Sequence, residues 1–424
     1  AAEAHARATL GAACADLEAA IGLDVDAFTA RASAQARCLT AAAHGAPAPL
    51  ALDCGPRPAV AMPPRGVWTQ VTLPEAQWGT VCGDGSPYAF WVRLAPIGQP
   101  LERVLLDMQG GGVCLFESDC LSVRNTRPDL LRADADDLQP LAGIEHDDPA
   151  ANSFANWTRV VLPYCTQDLH SGAGLDQAFS TFTIRRYGAR NARAALGYLR
   201  DVLWTALDAG DADGYRPDRL RVLLIGESAG GWGVRFNYHY LLDDLRWVHA
   251  TAAPDGGLAL DNGQAAGVRS LGVIMQAFWG ARRTLPPYCL ATDCGLGRVL
   301  EDATAPRLLA TPEQLWLPIS SQVDPIQTLT NQFPSQVAWT NACRSEYCLA
   351  RGTSGVHYWL TADSTPFHTI LRDFTRFNTL TVDGVTIHDW LAAAVADPAG
   401  VVDRVDEGTL TTDYPGVQPL ACLP

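Results

Sequence analysis

A serine between two glycines, in the pattern Gly-x-Ser-x-Gly, is the most chemically informative feature of this sequence. Ser228 lies at the centre of 226–230, between an aliphatic run at 222–225 and a helical pattern at 234–245. Strand, tight turn and helix in this order predict a nucleophile elbow, which exposes a serine hydroxyl at the end of a sheet. Glycines are needed because a Cβ at Gly226 or Gly230 would collide with a neighbouring element. An ordinary glycine-rich turn is the alternative interpretation.

A second glycine-rich segment follows an earlier predicted strand. The strand at 103–109 runs into Gly110, Gly111 and Gly112, and no Gly-Lys-Ser/Thr follows, which excludes a phosphate-binding P-loop. Backbone N–H groups left uncovered by such a loop can stabilise the oxyanion of an ester hydrolysis, as can the N–H of Ala229 after the serine. A close backbone approach without any ligand is the alternative.

A serine nucleophile needs a base, and the base needs an acid that orients it. When an elbow carries the serine, the acid and then the histidine follow at the ends of later strands. His368, in a loop after the last predicted strand, fits the base, whereas His357 lies inside that apolar strand and is interpreted as a core histidine. Asp324 is the preferred acid, with Asp255 and then Asp363 as competitors.

Four further residues are candidates for the substrate pocket. Glu227 and Trp232 lie beside the nucleophile, and Asp168 and His170 follow a predicted strand at 159–164. Polar residues at the carboxyl end of a parallel strand lie on the ligand-binding edge of such sheets. For Asp168 and His170, pocket lining and loop structure both fit, and a metal pair is disfavoured because no further ligand is nearby in sequence. The sequence predicts no metal and no cofactor.

Composition narrows the class of protein. The chain has 424 residues, 48% of them hydrophobic, which suffices for one large α/β domain or two smaller ones. The net charge is −15 and every basic residue is an arginine, so nucleic acid and anionic membranes are disfavoured as partners. No apolar run reaches the length of a membrane-spanning helix, and we expect a soluble protein.

Twelve cysteines without any Cys-x-x-Cys spacing indicate disulfides rather than zinc. The Ala-rich start resembles a mature N-terminus left by signal cleavage, and we expect a secreted or periplasmic protein. The expected local bridges, followed by two plausible longer pairs, are Cys114–Cys120, Cys289–Cys294, Cys343–Cys348, Cys14–Cys38 and Cys54–Cys82.

Amino-acid composition and predicted secondary structure divide the chain into two parts. Residues 1–65 read as a helical N-terminal segment and connector packed on the core, and 66–424 as the catalytic domain. Within the latter we predict an antiparallel strand pair at its start, a long helix at 183–207 and a helical cap at about 258–311.

Taken together, the motifs resemble the pectin acetylesterase/Notum family over roughly 104–371. The motifs that carry the resemblance are Gln109-Gly110-Gly111-Gly112-Val113-Cys114, Asn156-Trp157 with Pro163-Tyr164-Cys165, Gly226-Glu227-Ser228-Ala229-Gly230-Gly231, Pro254-Asp255-Gly256, Ser321-Gln322-Val323-Asp324 with Gln327, and Phe367-His368. The chain departs from the family's usual pattern at Gln109, Glu227 and the position after the glycines, which changes the wall of the acyl pocket.

The resemblance implies an α/β-hydrolase-like fold, with a mostly parallel central sheet flanked by helices. It also implies Ser228 as nucleophile, Asp324 as acid and His368 as base. The oxyanion donors that it implies are Gly111, Gly112 and Ala229.

The predicted function is a serine carboxylesterase that hydrolyses acetyl or short-to-medium acyl esters of a carbohydrate or other neutral alcohol. The substrate would be a small or polymeric ester. The charge of −15 would repel polyanionic pectin unless arginines such as Arg185, Arg186 or Arg235 line the cleft. A catalytically silent binding protein on the same fold and a lipid or polyester hydrolase are the alternatives, and a thioesterase or peptidase fits less well.

Overall fold

A computed structural model describes residues 60–134, 138, 141–208, 219–243, 245, 247, 249–263, 268–284 and 313–422. The predicted N-terminal segment, the Cys14–Cys38 and Cys289–Cys294 pairs and much of the predicted cap lie outside these residues. The division of the chain at residue 65 therefore stays a prediction.

The described residues form strands and helices in alternation along most of the chain. The strands are β1 (Thr69–Leu73), β2 (Tyr88–Arg93), β3 (Arg103–Met108), β4 (Thr158–Leu162), β5 (Leu175–Ala178), β6 (Thr183–Arg186), β7 (Arg221–Glu227), β8 (His249–Asp255), β9 (Leu315–Trp316), β10 (Ile319–Ser321), β11 (Trp359–Thr361), β12 (Thr381–Val382), β13 (Val385–Thr386) and β14 (Arg404–Val405). The α-helices are α1 (Glu75–Trp78), α2 (Glu117–Thr126), α3 (Gly188–Asp208), α4 (Ala229–Asp243), α5 (Val268–Phe278), α6 (Pro325–Thr330), α7 (Gln336–Ala350), α8 (Phe374–Thr379), α9 (Ile387–Ala396) and α10 (Leu410–Asp413). Short 3₁₀ turns lie at Pro128–Leu131, Gly143–Glu145, Ala281–Thr284 and Pro398–Gly400. None of the described helices combines the length and apolar composition needed to cross a bilayer.

A ten-stranded sheet in the order β1-β2-β4-β3-β7-β8-β10-β11-β14, with β9 beside β8, forms the centre of the molecule. The pairs β1/β2 and β2/β4 are antiparallel, and the remaining pairs of this sheet are parallel. The predicted antiparallel pair and the mostly parallel sheet are both confirmed. Because the carboxyl ends of parallel strands meet at one edge, the loops that follow β3, β4, β7, β8, β10 and β11 converge there.

The aliphatic sequence of β7 explains why this strand lies at the centre. Its side chains alternate between two apolar clusters, with Val222 and Leu224 in one and Leu223 and Ile225 in the other. The first cluster includes residues of α3 and α4, and the second includes residues of α9, so helices cover both faces. A strand buried on both faces reads as an unbroken apolar run, as this one does.

Two secondary-structure predictions are corrected by the structure. The helix predicted at 183–207 begins only at Gly188, because Thr183–Arg186 forms β6 and pairs with β5 in a separate hairpin. The last parallel strand of the predicted series begins at Trp359, so His357 precedes it instead of lying within it.

Among the described residues, the predicted bridge Cys114–Cys120 is confirmed, whereas two other predicted pairs are not. The Cys343–Cys348 prediction is wrong, because both residues lie on α7 and five helical positions separate side chains by about 140° around the axis. Cys348 bonds to Cys422 instead, and the buried Cys343 has no disulfide partner among the described residues. Cys82 bonds to Cys165 and not to Cys54, joining the loop before β2 to the end of β4.

Candidate active site

Ser228 occupies a strained turn between β7 and α4. Its φ of 57° lies in the left-handed region, which costs a non-glycine residue roughly 1–3 kcal/mol. The serine N–H donates to the carbonyl of Asp255 at 2.8 Å. A Cβ at Gly226 would lie 2.9 Å from the carbonyl oxygen of Met108, and one at Gly230 would overlap that same carbonyl. The predicted need for both glycines is confirmed, and the geometry is that of a nucleophile elbow.

His368 and Asp324 form a hydrogen-bonded pair at the carboxyl edge of the sheet. Nδ1 of His368 lies 2.8 Å from Oδ2 and 3.0 Å from Oδ1 of Asp324, which is fully buried. Since a carboxylate only accepts, Nδ1 must carry the proton and Nε2 is left as the acceptor. Nε2 is buried without a hydrogen-bond partner among the described residues. This is the tautomer that a general base requires.

The Asp324 carboxylate is held from several sides. It caps the N-terminus of α6 by accepting from the N–H groups of Ile326 and Gln327, both at 2.9 Å. The Gln327 side chain also donates to Oδ2 at 2.7 Å and to the Ser320 hydroxyl at 2.9 Å. Its Oε1 accepts from the N–H of Leu258 at 2.6 Å. The acid therefore has little freedom to turn away from the imidazole.

Asp255, the competing acid, binds the loop that carries His368. Its Oδ2 accepts from the N–H groups of Ile370 and Leu371 at 2.6 and 2.8 Å. Because its own carbonyl accepts from Ser228, this one residue connects the nucleophile turn to the base loop. Burial raises the pKa of Asp255 to about 7, against which the two N–H groups act. No described hydrogen bond joins its carboxylate to the imidazole.

The other two alternatives lie in different surroundings. Asp363 accepts from the N–H of Thr365 at 2.9 Å in a local turn. His357 lies 3.6 Å from Asp403, with 24% of its side chain exposed. The expectation of a buried core histidine is therefore wrong, because the strand begins two residues later.

The glycine loop after β3 lies directly against the elbow. A Cβ at Gly110 would be 3.2 Å from the Cβ of Ser228, and one at Gly111 would be 2.8 Å from Cδ1 of Tyr164. Gly112 adopts a φ of 73°, and a Cβ there would meet no atom within 4 Å, so this position borders open space. Ala229 opens α4 directly after the serine. The role of Gly111, Gly112 and Ala229 as oxyanion donors stays a prediction.

Asp168 and His170 lie behind this loop with their polar atoms engaged. Asp168 is fully buried and accepts from the Thr166 hydroxyl at 2.7 Å and from the N–H of Gly188 at 2.8 Å. His170 Nε2 lies 2.9 Å from the carbonyl of Gln109, and burial lowers the pKa of His170 to about 4, so the ring is neutral. Of the two roles that the sequence left open, these contacts support loop structure, and a role in lining the pocket stays a prediction for both residues.

Arg186 connects three segments beneath the glycine loop. The guanidinium donates to the carbonyls of Gln167 at 2.6 Å and of Thr166 and Cys114 at 3.1 Å. It is fully buried, so it does not line a cleft. Cys114 begins the Cys114–Cys120 bridge, and the arginine thereby fixes the end of the glycine loop to the loop after β4.

Trp232 and Glu227 contact the elbow from opposite directions. Trp232 belongs to an apolar cluster with Tyr164, Leu169, Ala229, Phe236, Ala259, Leu271, Met275, Trp279 and Ala281. Glu227 is buried, with Oε1 at 3.0 Å from Nη1 of Arg372 and at 3.5 Å from the N–H of Gly110. A role for either residue toward substrate stays a prediction. Sequence reasoning missed Arg372, because no local pattern marks a partner 145 positions away.

Within the described ranges, no group of three or more His, Cys, Asp or Glu residues has an arrangement that could hold a metal ion. A family model described as Pectinacetylesterase matches residues 66–292, more than half of the 424-residue chain. The chain belongs to the pectinacetylesterase family. The predicted family and fold class are therefore confirmed.

Two curated relatives of this pectinacetylesterase-family chain are named palmitoleoyl-protein carboxylesterase NOTUM. The Homo sapiens protein is 27% identical over 190 residues, which are 43% of this chain and 35% of that protein. The Schmidtea mediterranea protein is 27% identical over 167 residues, which are 39% and 29% of the two chains. The matched segments thus span about a third of these relatives.

A solved structure of the Wnt deacylase Notum from Drosophila is similar to this family member over most of its length. Its TM-score is 0.59 at 18% identity, and the match covers 80% of this chain and 95% of that chain. At this level of identity the likeness concerns the fold.

Proposed function

We propose that this chain is a serine carboxylesterase that cleaves acyl esters through an acyl-enzyme, with Ser228, His368 and Asp324 as its triad. The observation that carries the proposal is the 2.8 Å contact between His368 Nδ1 and Asp324, beside a serine held at a φ of 57°. Membership of the pectinacetylesterase family supports the same chemistry.

The proposed reaction follows from the tautomer of His368. Oγ of Ser228 attacks the acyl carbon while Nε2 takes the hydroxyl proton, and Asp324 stabilises the imidazolium that forms. Collapse of the tetrahedral intermediate breaks the bond to the alcohol, which leaves with the proton from Nε2. Water then attacks the acyl-enzyme by the same sequence, returning the serine and releasing the acid.

The developing oxyanion would be stabilised by backbone N–H groups of Gly111, Gly112 and Ala229. Supporting observations are the packing of Gly110 against Ser228 and the open space beside Gly112. Such donors are effective because they are positioned before the reaction, and removing one typically costs about 10²–10³ in kcat.

For the substrate we propose a neutral ester with an acetyl or short-to-medium acyl group on a carbohydrate or similar alcohol. The three arginines considered above as possible cleft residues are engaged elsewhere. Arg186 is buried, Arg235 is buried against the ring of Trp316, and Arg185 lies 3.1 Å from Glu75. These positions give little support to a pectin-like polyanion.

A longer acyl chain is the second candidate, favoured by the apolar cluster around Trp232. Ala229 of the elbow belongs to this cluster, and Val113, Leu115 and Ile274 pack against it while only partly buried. An acyl chain attached to Ser228 would meet these side chains if it extended toward α5. The names of the curated relatives accord with this candidate.

One substrate series tests the proposal and its alternative. We expect p-nitrophenyl esters from acetate to palmitate to be hydrolysed, with the optimum chain length reporting the acyl pocket, and acetylated xylan to be a better substrate than acetylated pectin. Ser228→Ala should lower kcat by roughly 10⁴–10⁶ with an unchanged melting temperature. A fluorophosphonate should label Ser228, as located by mass spectrometry. A Ser228→Ala variant with a tenth of wild-type activity, or an unlabelled serine, would support a silent binding protein or another nucleophile.

We further propose that the protein is exported to an oxidising compartment, secreted or periplasmic. Three disulfides among the described cysteines support this, because such bonds rarely persist in a reducing cytosol. Mass spectrometry of the alkylated, unreduced protein isolated from its source should recover these bridges. Alkylation of Cys82 and Cys165 before reduction would contradict export.

A further inference from the structure

Three buried carboxyl groups and one arginine lie directly behind the catalytic elbow. The carboxyls belong to Asp107 on β3, Glu145 in the 3₁₀ turn before β4, and Glu227 at the end of β7. Arg372, four residues after His368, lies 3.0 Å from Glu227 and 2.8 Å from Glu145. The side chains of Glu227 and Glu145 are 10% and 3% exposed.

Arg372 holds the base loop to the two segments on which it packs. The loop is also fixed by Asp255, which accepts from two of its N–H groups, and by the Leu371 carbonyl, which accepts from Ile144 at 2.8 Å. These contacts hold the backbone of the loop. The contact between Arg372 and Glu227 is the one that ties it to the residue directly before the nucleophile.

Glu227 reaches the glycine loop as well. Its Oε1, which accepts from Arg372, lies 3.5 Å from the N–H of Gly110. Glu227 is therefore connected to three parts of the site. It directly precedes Ser228 in the chain, its carboxyl group contacts the base loop through Arg372, and the same group contacts the loop of the predicted oxyanion donors through Gly110. A misplacement of about 1 Å in a catalytic group can lower the rate roughly 10²-fold. The contacts of Glu227 are therefore expected to affect kcat.

We propose that the Glu227–Arg372 pair is a positioning device that sets the distance between the nucleophile and the base, an inference that rests on the proposed esterase function. The two residues do not touch the reacting atoms. They act by fixing Ser228, His368 and the glycine loop relative to one another, and a change in either should lower kcat with little effect on KM.

The charges of the cluster agree with this assignment. Burial, assisted by the charges of Glu227 and Glu145, raises the pKa of Asp107 well above its ordinary value. Burial lowers the pKa of Arg372, but Glu227 and Glu145 outweigh burial and raise it above the ordinary value. Burial raises the pKa of Glu227, and the charge of Arg372 acts against that rise. The guanidinium reaches the two carboxyl groups through two different nitrogens, which the single nitrogen of a lysine could not do.

The test compares Arg372→Met, Arg372→Lys and Glu227→Gln, with rates divided by the concentration of serines that a fluorophosphonate titrates. We expect Arg372→Met and Glu227→Gln to lower kcat by roughly 10- to 100-fold with KM changed by less than about twofold. Arg372→Lys, which keeps the charge but not the fork, should have intermediate activity. Because both residues act through one contact, the double variant should lose no more than the worse single variant.

Arg185→Met is the matched control, since it removes an arginine from an ion pair with Glu75 that is largely exposed. Its kcat should equal that of the wild type. The positioning role is overturned if Arg372→Met keeps more than half of wild-type kcat per titrated serine, or if the single losses multiply in the double variant. Either result leaves the esterase assignment intact, because that assignment fails if Ser228→Ala stays active or if the fluorophosphonate leaves Ser228 unlabelled.

Discussion

Replacing Asp255 by asparagine separates a residue that holds a loop from a residue that orients the base. In the structure, Oδ2 accepts from Ile370 and Leu371, while Oδ1 is buried without a hydrogen-bond partner among the described residues. An asparagine can keep the accepting oxygen and lose only the charge. We therefore expect Asp255→Asn to keep kcat within about tenfold of wild type, whereas a mis-oriented imidazole in Asp324→Asn should cost about 10⁴.

The magnitude for stability follows from the pKa of Asp255. The folded protein raises it from 3.8 to about 7, chiefly through burial. At 1.36 kcal/mol for each pKa unit, the buried charge costs roughly 4 kcal/mol once the group is ionised in both states. Because the folded state binds the proton more tightly, this cost is absent below about pH 4 and grows as the pH rises toward 7. Roughly 2.5 kcal/mol of it falls between pH 5 and pH 8.

The assay is urea unfolding of the wild type and Asp255→Asn at pH 5 and pH 8. The other titrating groups are common to both proteins, so they cancel in the difference between the two unfolding free energies. From pH 5 to pH 8, the unfolding free energy of Asp255→Asn should rise relative to that of the wild type by roughly 2.5 kcal/mol. A pH-independent difference would refute the buried, proton-binding carboxyl, and a loss of kcat as large as that of Asp324→Asn would refute its role as a loop holder.

Asp255→Ala is the companion variant, because it removes the acceptor as well as the charge. Two buried N–H groups would be left without a partner, at about 1–3 kcal/mol each. We expect this variant to be less stable than Asp255→Asn at every pH and to have lower kcat, since the base loop is no longer held. Equal stability of the two variants would show that the N–H contacts contribute nothing.

Further predictions concern the base and the cysteines. His368→Ala should reduce kcat as severely as Ser228→Ala. His357→Ala should keep kcat, because the partly exposed ring of His357 is 3.6 Å from Asp403 and this contact contributes less than about 1 kcal/mol to the free energy of unfolding. An inactive but stable His357→Ala enzyme would reverse the assignment. Cys348→Ser together with Cys422→Ser should lower the unfolding free energy by roughly 2–4 kcal/mol without changing kcat per folded molecule, and an unchanged urea midpoint would contradict that bridge. Cys343, whose pKa burial raises to about 12, should react with a thiol reagent only after unfolding.

The parts of the site that could be predicted from sequence are those whose backbone geometry limits the residue type locally. The elbow needs glycines at Gly226 and Gly230, because Met108 leaves no room for a Cβ at either position. The order of serine, acid and histidine then follows from the order of the parallel strands. Asp324 could be ranked above Asp255 because Asp255 ends the strand that directly follows the elbow, where a role in shaping the turn is expected, and the family motif favours the same ranking.

The parts that could not be predicted depend on contacts between distant segments. Thr183–Arg186 directly precedes a helical pattern, yet it is a strand because it pairs with β5 and because Asp168 accepts from the N–H of Gly188, where the helix begins. Cys343 and Cys348 were interpreted as a loop pair, and only their position on one helix excludes the bond. Arg372 lacks any local signal, because its partners lie at the end of β7 and in the 3₁₀ turn before β4.

The polar contacts around the site have a common physical origin. At the carboxyl ends of parallel strands the backbone leaves the sheet ladder, and each buried N–H or carbonyl then needs another partner. Asp255 supplies one for the base loop, Asp168 for the start of α3, and Arg186 for the loop after β4. Every such side chain joins two loops, so the contacts that satisfy the backbone also fix the catalytic groups relative to one another. Substitutions that preserve volume but remove the hydrogen-bonding group at these positions should therefore change kcat more than apolar substitutions of equal cost in stability.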